Sequence, residues 1–176
     1  SGYNYKFISR GHVDITDLGL KNSSAKLLPK GTIIFSSRAP IGYVAIASIE
    51  LSTNQGFKSL IPKNKEYTEY LYYFIKNNSS RIESIASGST FKEVSGSVLK
   101  NYLLIIPSKS ALESFQNKLK SISKKLLCNQ SAIQSLQKTR DLLLPKLMTG
   151  KIRVNTFTID ELFKELHEKA YKNNQE

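Results

Sequence analysis

Apolar positions change their spacing several times along this 176-residue chain. Residues 32–36, 43–47 and 57–61 are short runs rich in β-branched and aromatic side chains, and each predicts a strand. Ahead of them, Leu28-Pro29-Lys30-Gly31 reads as a turn, with Pro at its second position and Gly at its fourth. From Tyr67 the spacing becomes helical: Tyr67, Tyr70, Leu71, Phe74 and Ile75 fall at i, i+3, i+4, i+7 and i+8. Ile82 and Ile85 extend that pattern by a turn or two, and Ser87-Gly88-Ser89-Thr90 interrupts it. Residues 102–106 read as a last strand, closed by Pro107. Strands and helices mixed within residues 1–107 predict an α+β domain. No internal repeat is visible.

A second regime starts near Ser110. Ser110 and Glu113 have the spacing of an S-x-x-E capping box, just after Pro107. Then Leu112, Phe115, Leu119, Ile122, Leu126, Asn129, Ile133, Leu136, Arg140, Leu143 and Leu147 alternate at intervals of three and four. This is a heptad register with only Asn129 and Arg140 polar, and it predicts a long helix capable of coiled-coil pairing. Pro145 is expected to end or kink it near Leu144. From 111 to 144 such a helix spans about 50 Å at 1.5 Å per residue. A 107-residue globule is only about 34 Å across, so much of the seam is expected to face another helix. An ordinary bundle-core helix is the plainer explanation, but core helices usually run 8–20 residues. Asn129 is either a simple imperfection in the seam or a selector of register and partner. Residues 149–176 form a tail, with a capping box at Thr158 and Glu161. A small apolar face follows from Ile159, Leu162, Phe163 and Leu166, and His167 lies at its polar end.

Composition sharpens this picture. At 40% hydrophobic and 10% aromatic, the chain can build a core. It has no apolar run of membrane-spanning length, and residues Ser1 to Arg10 carry no secretory h-region. One cysteine excludes an internal disulfide, and with two histidines it offers no standard zinc site, so a reducing cytoplasm is the expected location. Net charge is +12. The excess is +6 in residues 1–107, +6 in 108–150 and zero in 151–176. Such a distribution points to a polyanion, DNA or RNA first, against the plainer reading of a solvated basic surface.

Catalytic signals are weak. His12-Val13-Asp14 is the one conceivable base with an orienting carboxylate, and nothing marks a nucleophile or an oxyanion site beside it. Phosphate-binding glycine patterns and the acidic clusters of metal-dependent nucleases are missing. Cys128 falls within the long helix, where packing is the expected role. No catalytic or metal site is expected. Nucleic-acid contacts have better candidates. Lys21, Asn22, Ser23, Ser24 and Lys26 form a small-polar, basic loop in which Asn suits adenine and Lys or Ser suits phosphate. Arg38 follows a strand, Thr90 and Lys92 sit beside Phe91, and Arg10 belongs to a basic, aromatic N-terminal stretch with Tyr3 and Tyr5.

Several segments resemble type I restriction–modification specificity subunits. They are Leu28-Pro29-Lys30-Gly31-Thr32-Ile33-Ile34-Phe35-Ser36-Ser37-Arg38-Ala39-Pro40-Ile41-Gly42, then Thr53-Asn54-Gln55-Gly56-Phe57, then Gly88-Ser89-Thr90-Phe91-Lys92-Glu93-Val94-Ser95. Residues 139–152 resemble the end of that family's conserved spacer helix. The four matches occur in order over roughly residues 20–153. The resemblance implies two target-recognition domains per subunit, each reading half of an interrupted target, with antiparallel spacer helices between them. It implies docking of modification subunits, which bring S-adenosylmethionine and the methyl-transfer chemistry, and indirect recruitment of restriction subunits. The chain itself is expected to be non-catalytic and to carry no cofactor.

The expected organisation is therefore a recognition domain at 1–107, a spacer helix at 108–148 and a tail at 149–176. This sequence departs from the family pattern by having one domain and one helix. Its beginning reads as clipped, with Ser1-Gly2 as a cloning remnant. Either it is the second half of a subunit or a half-length form that dimerises. Motifs shared across the family, including Gly42, Asn54, Gln55 and Gly56, are expected to shape loops, and residues 3–26 to read bases. Arg38 and Lys92 then become phosphate contacts. A helical scaffold with general nucleic-acid affinity remains the alternative, and a nuclease or methyltransferase fragment a third.

Overall fold

A computed structural model of the chain describes residues 5–11, 13–38, 40–88 and 92–153. Its centre is a four-stranded sheet. Strand β1 is Phe7–Ile8, β2 is Ile33–Ser36, β3 is Val44–Ala47 and β4 is Phe57–Leu60, in the order β1-β3-β2-β4. The β2 pairs with β3 and β4 are antiparallel, while β1 lies parallel to β3, with Phe7 opposite Ile46. All four residues of β2 and of β3 are buried, as expected of central strands with both faces covered. The three anticipated strands thus form, each one residue shorter than read from the sequence.

Helices cover one face. Helix α1 (Asp17–Lys21) is a single capped turn outside the core cluster, whereas α2 (Thr68–Asn77) follows a 3-10 turn at Lys65–Tyr67 and packs on β2 and β3. Helices α3 (Ser79–Ser84) and α4 (Gly96–Lys100) complete the layer. Ile33, Phe35, Val44 and Ile46 from the sheet pack with Tyr72, Ile75, Ile82 and Val94 in one cluster. Ile33, Phe35, Ile82 and Val94 are sealed from solvent, and each contributes about 1.5–3 kcal/mol by burial. The helical spacing read from Tyr67 holds, although the most buried member of α2 besides Ile75 is Tyr72. Among the described residues every buried hydroxyl has a partner: Thr32 donates to the Pro29 carbonyl at 2.7 Å and Ser37 to that of Gly56 at 3.1 Å.

The strand expected at 102–106 does not form. Both edges of the sheet belong to β1 and β4, and Tyr102 turns inward instead. Its ring packs edge-on to Phe74 and its hydroxyl donates to Asn78 Oδ1 at 3.2 Å. Leu103, Ile105 and Ile106 stay largely exposed, and the Tyr70 hydroxyl donates to the Ile105 carbonyl. Strand-forming side chains that are not brought beside either edge strand stay an unpaired connector.

Helix α5 runs from Lys109 to Met148, 40 residues or about 60 Å. Its start corrects the expected capping box. Ser108, not Ser110, accepts from the Ala111 N–H at 3.3 Å, and Glu113 faces Lys109 at 3.9 Å. Pro145 lies inside the helix rather than ending it. Its ring removes one backbone bond, to the Asp141 carbonyl, and the residues after it still bond back. The end comes at Gly150, whose φ of +68° suits a left-handed cap, with Thr149 Oγ1 donating to the Pro145 carbonyl at 2.7 Å.

The chain divides into two compact units between Leu127 and Cys128. In the first, Leu112 is buried, Phe115 meets the Tyr73 ring edge-on at 6.1 Å and Gln116 donates to the Glu66 carbonyl. Ser123 is the next buried position, where the heptad would place Ile122, which is 52% exposed. The helix thus packs on its own domain at the 3.6-residue period of a straight helix, and the heptad stripe drifts off that contact. In the second unit, Ile133 and Leu136 are exposed while Leu143 and Leu147 are half-buried. The tail helix proposed around Thr158 and His167 lies outside the described residues.

Candidate nucleic-acid interface

The register of the sheet sorts the candidate DNA-contacting residues into two groups. Because β1 runs parallel to β3, the chain leaves β1 beside Ala47, at the end where β3 finishes. The described residues 9–11 and 13–27 follow from that end and return to it at the Leu28–Leu51 bridge. The loop between β2 and β3 lies at the opposite end, with the start of β4.

At the first end, Arg10 pairs with Asp14 at 2.6 Å, both exposed. Thr16 Oγ1 caps α1 by accepting from the Gly19 N–H at 3.1 Å. Lys21 ends that helix, and Asn22 is its C-cap, with its backbone N–H bonded to the Leu18 carbonyl. The Asn22 side chain is exposed, beside Ser23, whose hydroxyl accepts from the Ala25 N–H at 3.3 Å. Ser24 and Lys26 are exposed too. The loop closes where Leu28 and Leu51 exchange backbone hydrogen bonds at 2.8 and 3.2 Å. The expected small-polar, basic surface is therefore present as one exposed segment anchored at both ends.

At the other end the structure builds an ion cluster that the sequence did not reveal. Glu93 receives Arg38 Nε at 3.0 Å and Lys58 Nζ at 3.1 Å. Hydrogen bonds from Lys58 and then Arg38 hold its carboxyl below the usual carboxylate range. The backbone repeats the link: Val94 N–H donates to the Ser37 carbonyl at 3.0 Å, and Ser87 pairs with Glu93. Gly42 takes a φ of +101°, open to glycine at little cost. Asn54 Oδ1 accepts from the Gly56 N–H at 2.9 Å, as expected of a loop-shaping residue. Lys92 is exposed beside this cluster. Thr90, with Ser89 and Phe91, lies outside the described residues, as do Tyr3 and His12. Among the described residues, no three metal-ligating side chains come together.

Two residues missed in the sequence join helix and domain. Lys6 is buried, and its ammonium reaches Glu69 Oε2 at 2.5 Å, Ser123 Oγ at 2.7 Å and the Tyr73 hydroxyl at 3.5 Å. Its only sequence signal was Ser123 itself, eleven residues after Leu112 and so three turns along the same face. Of the helix-pairing candidates, Leu112 is buried in its own domain, and Phe115 and Leu119 are half-buried. Ile122, Leu126, Asn129, Ile133, Leu136 and Arg140 are exposed, and Leu143 is half-buried.

No helix among the described residues is long and apolar enough to cross a membrane. Comparison with known proteins identifies the relatives. The model of the type I restriction modification DNA specificity domain matches residues 1–139. The MjaIX type I restriction enzyme specificity subunit of Methanocaldococcus jannaschii is 49% identical over 110 residues, 61% of this chain and 26% of that protein. The HindI specificity subunit of Haemophilus influenzae is 33% identical over 153 residues, 85% of this chain and 33% of its own length. Among solved structures, the S subunit of a type I restriction–modification system from M. genitalium superposes with a TM-score of 0.54 at 26% identity. That superposition covers 83% of this chain and 38% of that one. The chain spans about a quarter to a third of the curated relatives it matches. With the match running through the sheet, both loop ends and most of α5, the chain belongs to the type I restriction modification DNA specificity domain family.

Proposed function

We propose that the chain reads one half of a bipartite DNA target for a type I restriction–modification system. The match over residues 1–139 carries this reading, and the net charge of +12 supports it. In this reading residues 1–107 recognise DNA, 108–148 set spacing and 149–176 form a tail. Base reading falls within residues 3–26, where Lys6 is buried and Arg10, Lys21, Asn22, Ser23, Ser24 and Lys26 are exposed, and a bidentate side-chain pair there discriminates by about 1–3 kcal/mol. Arg38 and Lys92, at the other end, hold phosphates. The Arg38–Glu93–Lys58 cluster holds the Arg38 guanidinium in a set position, which suits a contact that fixes the protein on the DNA backbone.

The chain supplies no reaction step. Methyl transfer and S-adenosylmethionine belong to a modification subunit docked on it, restriction subunits join through that complex, and the assembly works in the cytoplasm. The exposed part of the α5 seam receives a second spacer helix, from another copy or from the other half of one subunit.

Titration of a fluorescent duplex at two salt concentrations tests the reading. Affinity is expected to fall with salt at a log–log slope near −0.9 per phosphate contacted, and a lone half-site reader to bind at about 10⁻⁴ to 10⁻⁶ M. Salt-independent binding, or none with a modification subunit present, counts against it. Retention of all sequences equally would favour the scaffold reading, which the exposed Ile122, Leu126, Ile133 and Leu136 also support.

A further inference from the structure

Lys6 is an unusual residue to find at 7% exposure, since a buried ammonium is tolerated only when its charge and donors are met. Here they are. An ammonium has three N–H donors, and three oxygens surround this one, on Glu69, Ser123 and Tyr73. The rings of Phe7, Tyr72 and Tyr73 lie 4.8–5.4 Å from the nitrogen, within cation–π range. Glu69 and Tyr73 stand on α2 and Lys6 precedes β1, whereas Ser123 stands on α5. The site therefore fastens α5 to the domain through one small hydroxyl.

That hydroxyl is specific to its position. Sliding α5 by one residue moves it 1.5 Å and turns it about 100°, bringing Ile122 or Lys124 to the ammonium. One turn away lie Leu119, Lys120, Leu126 and Leu127. None of these six side chains has an oxygen to accept from Lys6, and two are cations. The second fastening, Gln116 to the Glu66 carbonyl, sits two turns earlier at the same end of α2. Two attachments on one face define both the height and the azimuth of the helix.

We propose that Lys6, acting through Ser123 and backed by Glu69, is a positioning residue that sets the rotational register of α5 on the recognition domain. The stripe Ile122 and Leu126 is thereby aimed away from that domain, toward the partner helix. This rests on the DNA-reading function for its consequence, namely that the latch fixes which separation between half-sites the assembly accepts.

Spin-label distances in the full chain test the latch directly. Labels go on Ser59→Cys and Lys120→Cys, both exposed, in a Cys128→Ser background. A single narrow distribution is expected with Ser123 present. Ser123→Ala is expected to broaden or shift it, and Ser123→Thr, which keeps the hydroxyl, to restore it. Lys6→Met with Glu69→Leu removes both charges together, guards against misfolding from one stranded ion, and is expected to broaden the distribution as well. Circular dichroism checks that helix content is unchanged. Superposable distributions for wild type and Ser123→Ala overturn the proposal. The functional arm uses the chain assembled with its modification subunit and a duplex library of varied spacer length. Ser123→Ala is expected to accept several spacers with the same bases. Unchanged spacer choice beside altered distances overturns the functional role. A wild type that methylates no bipartite site sinks the DNA reading instead, and the distances alone then decide the latch.

Discussion

Charge placed in the exposed stripe of α5 is expected to abolish helix pairing without unfolding the domain. Ile122, Leu126, Ile133 and Leu136 are 52%, 38%, 39% and 61% exposed. Together that is nearly two side chains of open apolar surface, so covering it is worth about 3–6 kcal/mol per helix. Two copies facing each other gain about twice as much, while association costs about 4–15 kcal/mol in lost freedom. The two are of similar size and leave a surplus of about 4 kcal/mol at most, which predicts weak self-association with Kd no tighter than about 10⁻³ M. A partner helix within the same polypeptide avoids most of that cost and pairs stably. Ile122→Glu with Ile133→Glu is expected to leave a monomer at every concentration. Sedimentation equilibrium across the micromolar to millimolar range gives the mass, and circular dichroism monitors the fold. If wild type and variant show the same mass throughout, the stripe is not a self-pairing surface and the energetic reasoning fails for this helix.

Other outcomes follow from the site and the core. Asn22→Ala is expected to relax preference at one base position by about 1–3 kcal/mol, while Arg38→Ala and Lys92→Ala weaken all sequences alike. Motif sequencing of methylated DNA separates the two classes, and a motif altered by Lys92→Ala alone would reverse the assignment. Glu93 has a carboxyl held below its ordinary range by Lys58 and Arg38, so its stabilising contacts exist above that range and vanish as pH falls through the depressed value. The melting-temperature gap between wild type and Glu93→Gln is thus expected to close on acidification, and a gap that widens instead would contradict the ion cluster. Ile82→Ala, at a fully buried position, is expected to cost about 2–5 kcal/mol in a denaturant melt.

The parts of the fold that sequence made legible are those where local pattern and tertiary role agree. Strands β2, β3 and β4 are dense in β-branched and aromatic residues and sit in or beside the sheet centre. Helix α5 advertises itself through its apolar repeat. Residues 102–106 look just as strand-like, but Tyr102 is drawn onto Phe74 and Asn78 instead of a sheet edge, and composition does not report tertiary placement. Pro145 misled in the other direction, because one missing bond in the last turn of a 40-residue helix is a local loss. β1 pairs only two residues, too few to register as a pattern. The DNA-contact candidates were legible as exposed polar loops, whereas their division between two ends depends on the parallel pairing of β1 with β3. Glu93 and Lys6 acquire their meaning from residues 35 to 117 positions away, and no window along the chain brings those together.

The doubled backbone bond between Leu28 and Leu51 has a bearing on how such proteins diversify. It closes the described residues 9–11 and 13–27 off from strands β2–β4, and neither the core cluster nor the Lys6–Ser123 contact draws a residue from that segment. If that segment reads bases, as proposed, target preference is expected to change through substitutions confined to it, at little cost to the fold.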